Sequence, residues 1–297
     1  MKISVITVSY NSSSTILSTM ESVFRQKRDG FDVEYIVVDG ASTDGTVSLL
    51  KEFEAKIGNG DERCEMKWIS EPDNGLYEAM NKGIGMATGD IVGILNADDV
   101  LAADDTLAKI AAQFAGTRSG EHNCPLRVGA THNEATKPSG ASAEGTEKID
   151  ALYADIRFVR TGDSLDALRA AKTVRYCSAK CWRPWMFRFA AMVPHPSFYV
   201  RRECFERLGN YSLDYRICAD FELELRFLKL AKLRSRYLNE CAVVMRMGGA
   251  STSGWKSNKK INEEDLKALR THGIWSCLPL IYLKYFFKVW GFVFKRR

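Results

Sequence analysis

Ile3-Ser4-Val5-Ile6-Thr7-Val8, followed by the polar loop Ser9-Tyr10-Asn11-Ser12-Ser13, is the stretch that decides the fold. A short run rich in β-branched residues is typical of a strand that is buried on both faces. Apolar residues then recur at helical spacing between Thr15 and Gln26. A buried strand followed by a helix predicts the opening of a β-α-β unit.

The same alternation continues along the first third of the chain. Further strands are predicted at Tyr35–Val38, Met66–Ile69 and Ile91–Leu95, and helices at Thr46–Ile57 and Leu76–Met86. Short connections between such elements predict an α/β fold with a mostly parallel sheet and helices on both faces. Ligands bind such sheets at the carboxyl ends of the strands, and polar residues follow three of these strands.

The rest of the chain is less regular. Residues 116–148 are rich in Gly, Ser, Ala, Thr and Glu and predict a flexible insert. Order is expected again at Ile149–Val159, in an apolar helix at Phe221–Leu233 and in a late strand at Val243–Met247. We therefore predict a first half at 1–115, a second half at 149–255 and a C-terminal helical tail at 256–297.

Composition limits the classes of function. The chain has 297 residues, of which 45% are apolar and 27% charged, with a net charge of +5. This charge is too modest for an extended nucleic-acid footprint. The eight cysteines form no CxxC pair, so we interpret them as thiols of a reducing, cytoplasmic compartment. Neither a signal peptide nor a run of about eighteen apolar residues, which would predict a membrane span, is present.

Two adjacent carboxylates follow the predicted strand at Ile91–Leu95, in Asn96-Ala97-Asp98-Asp99. Neighbouring carboxylates at the end of a buried strand repel each other and lose hydration. Mg²⁺ or Mn²⁺ would remove that cost and would add substrate phosphates as ligands. The alternative is that Asp98 or Asp99 caps a following helix.

Two other loops carry carboxylates after strands. Asp39 ends a strand, where it could accept a hydrogen bond from a base N–H or a ribose, whereas Asp44 and Thr46 are expected to cap the next helix. Pro72-Asp73-Asn74-Gly75 predicts a turn that caps the helix after it or closes over a nucleotide. Gly83-Ile84-Gly85 lacks the third glycine of a dinucleotide-binding loop.

Asp220 opens the apolar helix of the second half. One interpretation is a first-turn acid that interacts favourably with the helix dipole. The other is a general base that deprotonates an acceptor hydroxyl, for which apolar neighbours would be favourable. Glu222 is the competing candidate for the base.

Taken together, these segments resemble the family 2 glycosyltransferases, which have the GT-A fold. Within that family the chain is most similar to bacterial enzymes of exopolysaccharide and colanic acid biosynthesis. The resemblance is dense from Ile3 to Asp99 and returns in patches up to Ser251. The strings that carry it are Ile6 to Asn11, Val37 to Thr46, Ser70 to Gly83, Asn96 to Asp99, His195-Pro196-Ser197, Ala219-Asp220 and Gly248 to Ser251.

The resemblance implies a role for each matching position. Around the donor, Asp39 would hydrogen-bond the uracil or other nucleotide base. Asp98 would lie near the ribose and diphosphate, and Asp99 would hold Mg²⁺ or Mn²⁺. Asp220 would be the general base. Other positions expected beside the nucleotide sugar are Thr7, Tyr10, Asn11, Asn74 and Asn81.

The acceptor half of the cleft is expected to contain His195 and Trp182. His195 has a purely structural alternative, and core packing is at least as plausible for Trp182 as stacking on a sugar. The turn at Gly248 to Ser251 would close over the donor.

The chain departs from the family pattern at two sites and in one insert. Gly40 follows Asp39 where the family usually has a second acid, so one contact is missing or made elsewhere. The metal motif is Asn-Ala-Asp-Asp, which leaves the choice between Asp98 and Asp99 open. The insert at 116–148 has no counterpart that we can place.

These features predict an inverting glycosyltransferase that moves a sugar from a UDP-sugar, or a GDP-sugar, to a hydroxyl of a glycan or lipid-linked glycan in cell-surface polysaccharide synthesis. Aromatic and basic residues of the tail, from Leu278 to Arg297, predict peripheral contact with the inner face of the cell membrane, although a helix packed on the domain is the alternative. A nucleotidyltransferase is disfavoured because Ser9 to Ser14 is not a Gly-rich, basic phosphate loop. A non-catalytic sugar-nucleotide-binding protein is disfavoured by the presence of Asp220 together with the metal acids.

Overall fold

The computed structural model describes residues 1–58, 63–116, 148–160, 162–248 and 254–293. The predicted insert at 116–148 lies outside this part of the chain except for its two end residues. The predicted turn at Gly248 to Ser251 likewise lies outside it except for Gly248.

The first half is a parallel β-α-β arrangement, as predicted. Its strands have the order β3-β2-β1-β4, with every neighbouring pair parallel. The strands are β1 Lys2–Ser9, β2 Asp32–Asp39, β3 Cys64–Ser70 and β4 Ile91–Ile94. The helices are α1 Ile16–Phe24, α2 Thr46–Ile57 and α3 Leu76–Met86.

The second half extends the same sheet rather than forming a separate one. Its strands are β6 Ala151–Val159, β7 Arg175–Cys177, β8 Tyr199–Arg201 and β9 Ser235–Arg246. Strand β5 Asp99–Leu101, which belongs to the first half of the chain, pairs antiparallel with β9. Antiparallel β8 joins β4 to β6, and β6 pairs with β9 in parallel, so the sheet continues in the order β4-β8-β6-β9-β5. The predicted strand at Val243–Met247 is the end of the longer β9.

Helices complete both faces of the sheet. They are α4 Thr106–Phe114, α5 Leu165–Ala170, α6 Arg202–Leu208, α7 Ala219–Glu224, α8 Gly254–Thr271 and α9 Leu278–Val293, with short 3₁₀ turns at Pro184–Phe189 and His195–Ser197. The long helix predicted at Phe221–Leu233 is instead the short α7 followed by a π-helical segment, Leu225–Leu230.

Strand β1 shows why the opening stretch is apolar throughout. Ile6 and Val8 belong to the hydrophobic cluster on one face of the sheet, and Ile3 and Val5 belong to the cluster on the other. Side chains of a strand alternate between faces, so a strand with a core on both sides needs apolar residues at every position. This confirms the interpretation of Ile3 to Val8 as a buried strand.

Helix α3 lies against β1 through a glycine. A Cβ on Gly83 would lie 2.4 Å from Cγ2 of Ile6, which is closer than packed atoms approach. Gly85, two residues later in α3, has nothing within 4 Å of the corresponding position. Gly83 therefore allows the close approach of α3 to the sheet.

We expect Gly83→Ala to lower the free energy of unfolding by about 1–3 kcal/mol, because the added methyl group overpacks the contact with Ile6. Gly85→Ala is the matched control and is expected to raise the free energy of unfolding by about 0.5–1 kcal/mol, since alanine favours a helix. Urea denaturation of both variants measures the difference. Equal effects of the two substitutions would contradict this account of α3 packing.

Glu34 of β2 is a buried carboxylate that ties the sheet together away from the predicted site. It accepts hydrogen bonds from Ser4 Oγ at 2.5 Å, from the backbone N–H and hydroxyl of Thr88 at 2.7 and 2.8 Å, and from Lys67 Nζ at 2.9 Å. Burial raises the pKa of Glu34, but these donors together lower the pKa from 4.5 to about 2. The ionised form is therefore favoured by folding.

A depressed carboxyl pKa contributes stability that is present above about pH 4.5 and is lost as the pH falls towards about 2. We expect Glu34→Gln to lower the free energy of unfolding at pH 7 by about 2–3 kcal/mol, and by less at pH 3. Glu65→Gln is the control because Glu65 contacts the same lysines, Lys2 and Lys67, from an exposed position. A loss for Glu34→Gln that is as large at pH 3 as at pH 7 would contradict the assignment.

Candidate active site

The carboxyl ends of β1, β2, β3 and β4 lie along one edge of the sheet. Ser9 pairs with Asp39, and Asp39 pairs with Ser70, so three strands end at the same level. Beyond the end of β4, Leu95 N donates to Ile6 O at 2.9 Å. The loops after all four strands therefore share this edge, where parallel sheets bind ligands.

Asp39 lies at the centre of this edge with no solvent exposure. Its Oδ1 accepts from Ser9 Oγ at 2.8 Å and from Ser42 Oγ at 2.5 Å. Its Oδ2 accepts from Ser42 N at 2.9 Å and from Ser70 Oγ at 2.7 Å. Two donors on each oxygen fill the ordinary acceptor capacity of a carboxylate. The predicted hydrogen bond between Asp39 and the nucleotide base would therefore require one of the serine hydroxyls to turn away.

The loops after β1 and β2 are joined by hydrogen bonds. Asn11 has a positive φ of 49°, donates its N–H to Ser42 Oγ at 2.7 Å and accepts from Thr43 N through Oδ1 at 3.0 Å. Asp44 accepts from Thr46 N at 3.0 Å and so has a structural role in the turn before α2. The N-cap position itself is Gly45, which has no side-chain cap, and Thr46 is the first residue of the helix, so neither Asp44 nor Thr46 is the predicted cap. These contacts hold the loop of Asn11 in one conformation at the ligand-binding edge.

Tyr10 and Thr7, both predicted near the nucleotide, have different environments. Tyr10 is 68% exposed at the end of β1 and presents its ring to solvent. Thr7 is fully buried, and its Oγ1 accepts from the hydroxyl of Tyr35 at 3.0 Å. Tyr10 is therefore available to a ligand in this conformation, whereas Thr7 supports the strand beneath.

Another loop supplies a carboxylate beside Gly40, the position that lacks the expected second acid. A Cβ on Gly40 would lie 2.7 Å from Asp73 Oδ2 and 3.3 Å from the ring of Tyr10. Asp73 is half-buried, and its Oδ1 accepts from Gly75 N at 2.9 Å. Asp73 therefore lies with Tyr10 and Gly40 in one corner of the edge. The sequence predicted Asp73 in a turn that caps α3 or closes over a nucleotide, but not its approach to Gly40, since a contact between two distant loops leaves no local pattern.

The two asparagines predicted near the nucleotide sugar both have protein partners. Asn74 is exposed and donates its N–H and side-chain amide to Glu78 Oε2 at 3.0 and 2.7 Å, at the start of α3. Asn81 uses both amide atoms on the backbone of Tyr211, at 2.9 and 3.0 Å. The predicted nucleotide contact of Asn81 would require these two bonds to open.

Asp98 and Asp99 follow β4 but differ in exposure. Asp99 is fully buried in β5, whereas the side chain of Asp98 is half-buried. Burial raises the pKa of both carboxyls, and for Asp99 the nearby charge of Asp98 raises the pKa further, while the charge of Arg246 opposes both shifts. Helix α4 begins only at Thr106, so the alternative that Asp98 or Asp99 caps a helix is wrong.

The oxygens around Asp99 fit a hard divalent cation. Asp99 Oδ1 and Asn96 Oδ1 are buried and have no hydrogen-bond partner among the described residues. Within the same part of the chain no group of three or more His, Cys, Asp or Glu side chains forms a complete metal site. Mg²⁺ and Mn²⁺ commonly take one or two carboxylates and complete their coordination with substrate phosphates and water. This donor set matches that pattern.

Asp220, the predicted base, lies half-buried in the first turn of α7. Its Oδ1 lies 3.1 Å from the hydroxyl of Tyr77 in α3 and 2.9 Å from Phe221 N. The competing candidate, Glu222, is almost fully buried and is bound by Arg226 at 2.9 Å and His272 at 2.7 Å. Burial raises the pKa of Glu222, but these two partners lower the pKa overall. Of these two acids, Asp220 is therefore the one whose side chain is partly exposed and can be reached by a substrate.

His195 and Trp182 lie behind this site in the hydrophobic core. His195 Nε2 is 2.7 Å from the hydroxyl of Tyr211, and burial lowers the pKa of His195 against the charge of Asp220. Trp182 is 6% exposed and donates its Nε1–H to Ala191 O at 2.9 Å. The aromatic ring of Trp182 has no face open to a sugar in this conformation, which matches the core-packing alternative.

A chain of contacts connects the two sides of the candidate site. Asp39 O accepts from Glu71 N at 3.0 Å, which leads through the turn of Asp73 into α3. Tyr77 of α3 then contacts Asp220. The loops of the first half and Asp220, the predicted base of the second half, are thus connected through α3.

Comparisons with known proteins agree with this geometry. The model of glycosyl transferase family 2 matches residues 4–139. A PGL/p-HBAD biosynthesis glycosyltransferase of Mycobacterium bovis is 27% identical over 270 residues, which is 90% of this chain and 83% of that protein. TuaG of Bacillus subtilis, named for teichuronic acid biosynthesis, is 40% identical over 97 residues, which is 33% of this chain and 36% of TuaG.

The chain is a glycosyltransferase whose residues 4–139 match glycosyl transferase family 2. Its fold is GT-A, because two solved glycosyltransferases superpose on it. TarS 1–349 of S. aureus in complex with UDP-GlcNAc gives a TM-score of 0.56 at 15% identity, over 91% of this chain and 66% of that one. The mannosyltransferase PcManGT of Pyrobaculum calidifontis, in complex with GDP-Man and Mn²⁺, gives a TM-score of 0.56 at 19% identity, over 98% of this chain and 72% of that one. The glycosyltransferase thus spans about two thirds of TarS 1–349.

The tail of the glycosyltransferase is at least partly packed on the domain. In α9, Ile281 and Lys284 are buried, and Lys284 Nζ lies 2.5 Å from Asp265 Oδ2 of α8. On the other side of α9, Leu278, Tyr282 and Leu283 are exposed. Among the described residues, no helix of this glycosyltransferase is long and apolar enough to cross a membrane.

Proposed function

We propose that this glycosyltransferase transfers a sugar from a nucleoside diphosphate to an acceptor hydroxyl with inversion at the anomeric carbon. The observation that carries the proposal is the contact between Tyr77 and Asp220. This contact places the half-exposed carboxylate of Asp220 next to α3, the helix that follows the ligand-binding edge of the sheet. The match of residues 4–139 to glycosyl transferase family 2 supports the reaction class, and the position of Asp220 supports the direct displacement.

The donor is proposed to lie along the edge formed by the loops after β1, β2 and β4, which we call the donor edge. Tyr10 offers an exposed ring for the base, and Asp73 offers a carboxylate oxygen beside Gly40 for a base N–H or a ribose hydroxyl. Asp39 and Asn11 fix the loops around this corner. A UDP-sugar is the proposed donor, since TarS binds UDP-GlcNAc, and a GDP-sugar is the alternative because PcManGT binds GDP-Man.

Asp98 and Asp99 are proposed to hold Mg²⁺ or Mn²⁺ on the donor diphosphate, where the cation would offset the negative charge of the leaving group. Asp98 is the carboxylate open to the edge, and Asp99 with Asn96 offers unsatisfied oxygens behind it. The solved structure of PcManGT, which shares the fold, is a complex with GDP-Man and Mn²⁺. The sequence favoured Asp99 as the ligand and left the choice between Asp98 and Asp99 open, and the partial exposure of Asp98 supports a role for both.

In the proposed reaction the acceptor oxygen attacks the anomeric carbon while the bond to the diphosphate breaks on the opposite side. Asp220 takes the proton of the attacking hydroxyl, so the carboxylate becomes a carboxylic acid as the new glycosidic bond forms. Holding the two reactants in line can supply a large part of the rate acceleration. One displacement inverts the configuration, and no covalent enzyme intermediate is required.

The proposed acceptor is a glycan or lipid-linked glycan of cell-surface polysaccharide synthesis. The names of the mycobacterial and Bacillus relatives, which refer to PGL/p-HBAD and teichuronic acid biosynthesis, support this class. The exposed face of α9 with Leu278, Tyr282 and Leu283 supports contact with the inner face of the membrane, where such an acceptor would lie. The exopolysaccharide and colanic acid assignment stays a prediction within this class.

We expect Asp220→Asn to bind UDP as the wild type does and to release UDP from its donor about 10²–10⁴-fold more slowly, because the general base is lost. The measurement is UDP or GDP release, with water as the acceptor, from UDP-GlcNAc, UDP-glucose and GDP-mannose in the presence of Mn²⁺. Asp214→Asn is the matched control, since Asp214 is an exposed acid of the preceding loop.

Asp98→Asn should raise the Mn²⁺ concentration that is needed for UDP or GDP release.

Each of these outcomes separates the proposal from its alternatives. Normal turnover by Asp220→Asn would remove the base assignment. Donor binding without any release by the wild type would favour the non-catalytic binding protein, and formation of a sugar nucleotide from a sugar phosphate and a nucleoside triphosphate would favour the nucleotidyltransferase.

Membrane contact is tested by flotation with vesicles of phosphatidylcholine, with and without phosphatidylglycerol. We expect the full chain to float with the anionic vesicles, and a variant with Leu278→Gln, Tyr282→Gln and Leu283→Gln to remain in the soluble fraction. Leu213→Gln, at an exposed leucine outside α9, is the control. Equal flotation of the triple variant and the wild type would remove the proposed role of this face of α9.

A further inference from the structure

The segment that leads into Asp220 is held from two sides by residues that the proposed mechanism does not use. Ile217 O accepts from the hydroxyl of Tyr77 at 2.5 Å. On the other side, Glu264 Oε2 of α8 accepts from Ile217 N at 2.8 Å and from Cys218 N at 3.1 Å. The backbone three residues before the base is therefore bound by α3 of the first half and by α8 of the tail.

Glu264 satisfies backbone groups that α7 cannot satisfy itself. The first N–H groups of a helix have no partner within the helix, and Cys218, the residue before α7, makes no side-chain cap. A carboxylate at a helix N-terminus also interacts favourably with the helix dipole. Helix α7 and its π-helical continuation together have only twelve residues, Ala219 to Leu230, and a helix of this length is marginal on its own. External bonds at its start therefore help to fix the position of Asp220.

Other contacts make α8 a firm support for this carboxylate. Asp265, next to Glu264, binds Lys284 of α9 in a pair in which both side chains are buried. Lys267, one turn later in α8, donates to Asp214 O at 2.9 Å and lies 4.8 Å from the centre of the Tyr215 ring. The loop before Asp220 is thus attached to α8 at several points.

Tyr77 suits both protonation states of the base. A hydroxyl has one proton to donate and can accept as well. While Asp220 is ionised, the Tyr77 proton can serve Asp220 Oδ1 or Ile217 O, which lie 3.1 and 2.5 Å from the phenol oxygen. After Asp220 has taken the acceptor proton, the new O–H can donate to Tyr77 while Tyr77 donates to Ile217 O.

We infer that Tyr77 and Glu264 are positioning residues that hold the Ile217 peptide from opposite sides and thereby fix Asp220 for proton removal. The inference rests on the proposed function, since it requires Asp220 to be the base. It assigns the tail helix α8 a role in the chemistry without any contact to the substrate.

Loss of either contact should lower kcat rather than donor affinity. We expect Glu264→Ala and Tyr77→Phe each to reduce kcat for UDP release about 10–10²-fold, because small displacements of a catalytic group have effects of this size. The KM for the donor should change less than about threefold, since neither residue lies at the donor edge. Glu264→Gln keeps an acceptor oxygen and should lose less activity than Glu264→Ala.

The design includes a matched control and a test of coupling. Glu263→Ala, at the exposed neighbour of Glu264, should keep the wild-type kcat. If both residues fix the same peptide, the combined loss in Tyr77→Phe with Glu264→Ala should be smaller than the product of the single losses. Amide hydrogen exchange of the peptide that contains Ile217 and Cys218 should rise in Glu264→Ala and not in Glu263→Ala.

Parallel measurement of Asp220→Asn separates the two proposals. Wild-type kcat in Asp220→Asn would overturn the proposed function. A large loss in Asp220→Asn together with wild-type kcat in Glu264→Ala and Tyr77→Phe would overturn the positioning role alone. A loss in Glu264→Ala that appears entirely in donor KM would also overturn it.

Discussion

The buried carboxylate of Asp39 is the constraint on which the donor edge depends. A charge without solvent is costly unless hydrogen bonds replace its hydration. Those bonds come from Ser9 at the end of β1, from Ser42 in the loop that follows β2, and from Ser70 at the end of β3. The ends of these three strands must therefore meet at one level. Once they meet, the loops carrying Tyr10 and Asp73 are brought together beside Gly40. One carboxylate therefore positions groups that are far apart in the sequence.

Asp39 and Asp99 show how the surroundings of a buried carboxylate determine its function. Both are fully buried, Asp39 at the end of β2 and Asp99 at the start of β5. Asp39 has two hydrogen-bond donors on each oxygen, whereas burial raises the pKa of Asp99, and its Oδ1 has no partner among the described residues. A satisfied carboxylate is complete without a ligand, and an unsatisfied one gains by binding a cation. The difference supports a structural role for Asp39 and a cation-binding role for Asp99.

The sequence predicted those features that depend on local periodicity and failed on those that depend on distant contacts. Helix α3 and strand β1 follow from hydrophobic spacing, and the structural role of Asp44 in the turn before α2 follows from turn chemistry. The short α7 was predicted too long, because apolar spacing does not distinguish an α-helix from its π-helical continuation. Tyr77 and Glu264 were missed altogether, since each contacts Ile217 across more than forty residues of sequence. Residue types alone do not record such pairings.

The continuous sheet bears on how the two halves work together. β8 joins β4 to β6, so the predicted division between the first and second halves crosses a hydrogen-bonded sheet rather than a linker. Asn81 of α3 also binds the backbone of Tyr211 with both amide atoms. A large hinge motion between the halves would break these bonds. The proposed base and the proposed donor site are therefore connected through hydrogen-bonded elements, and we expect substrate alignment to come from the geometry of the folded chain rather than from domain closure.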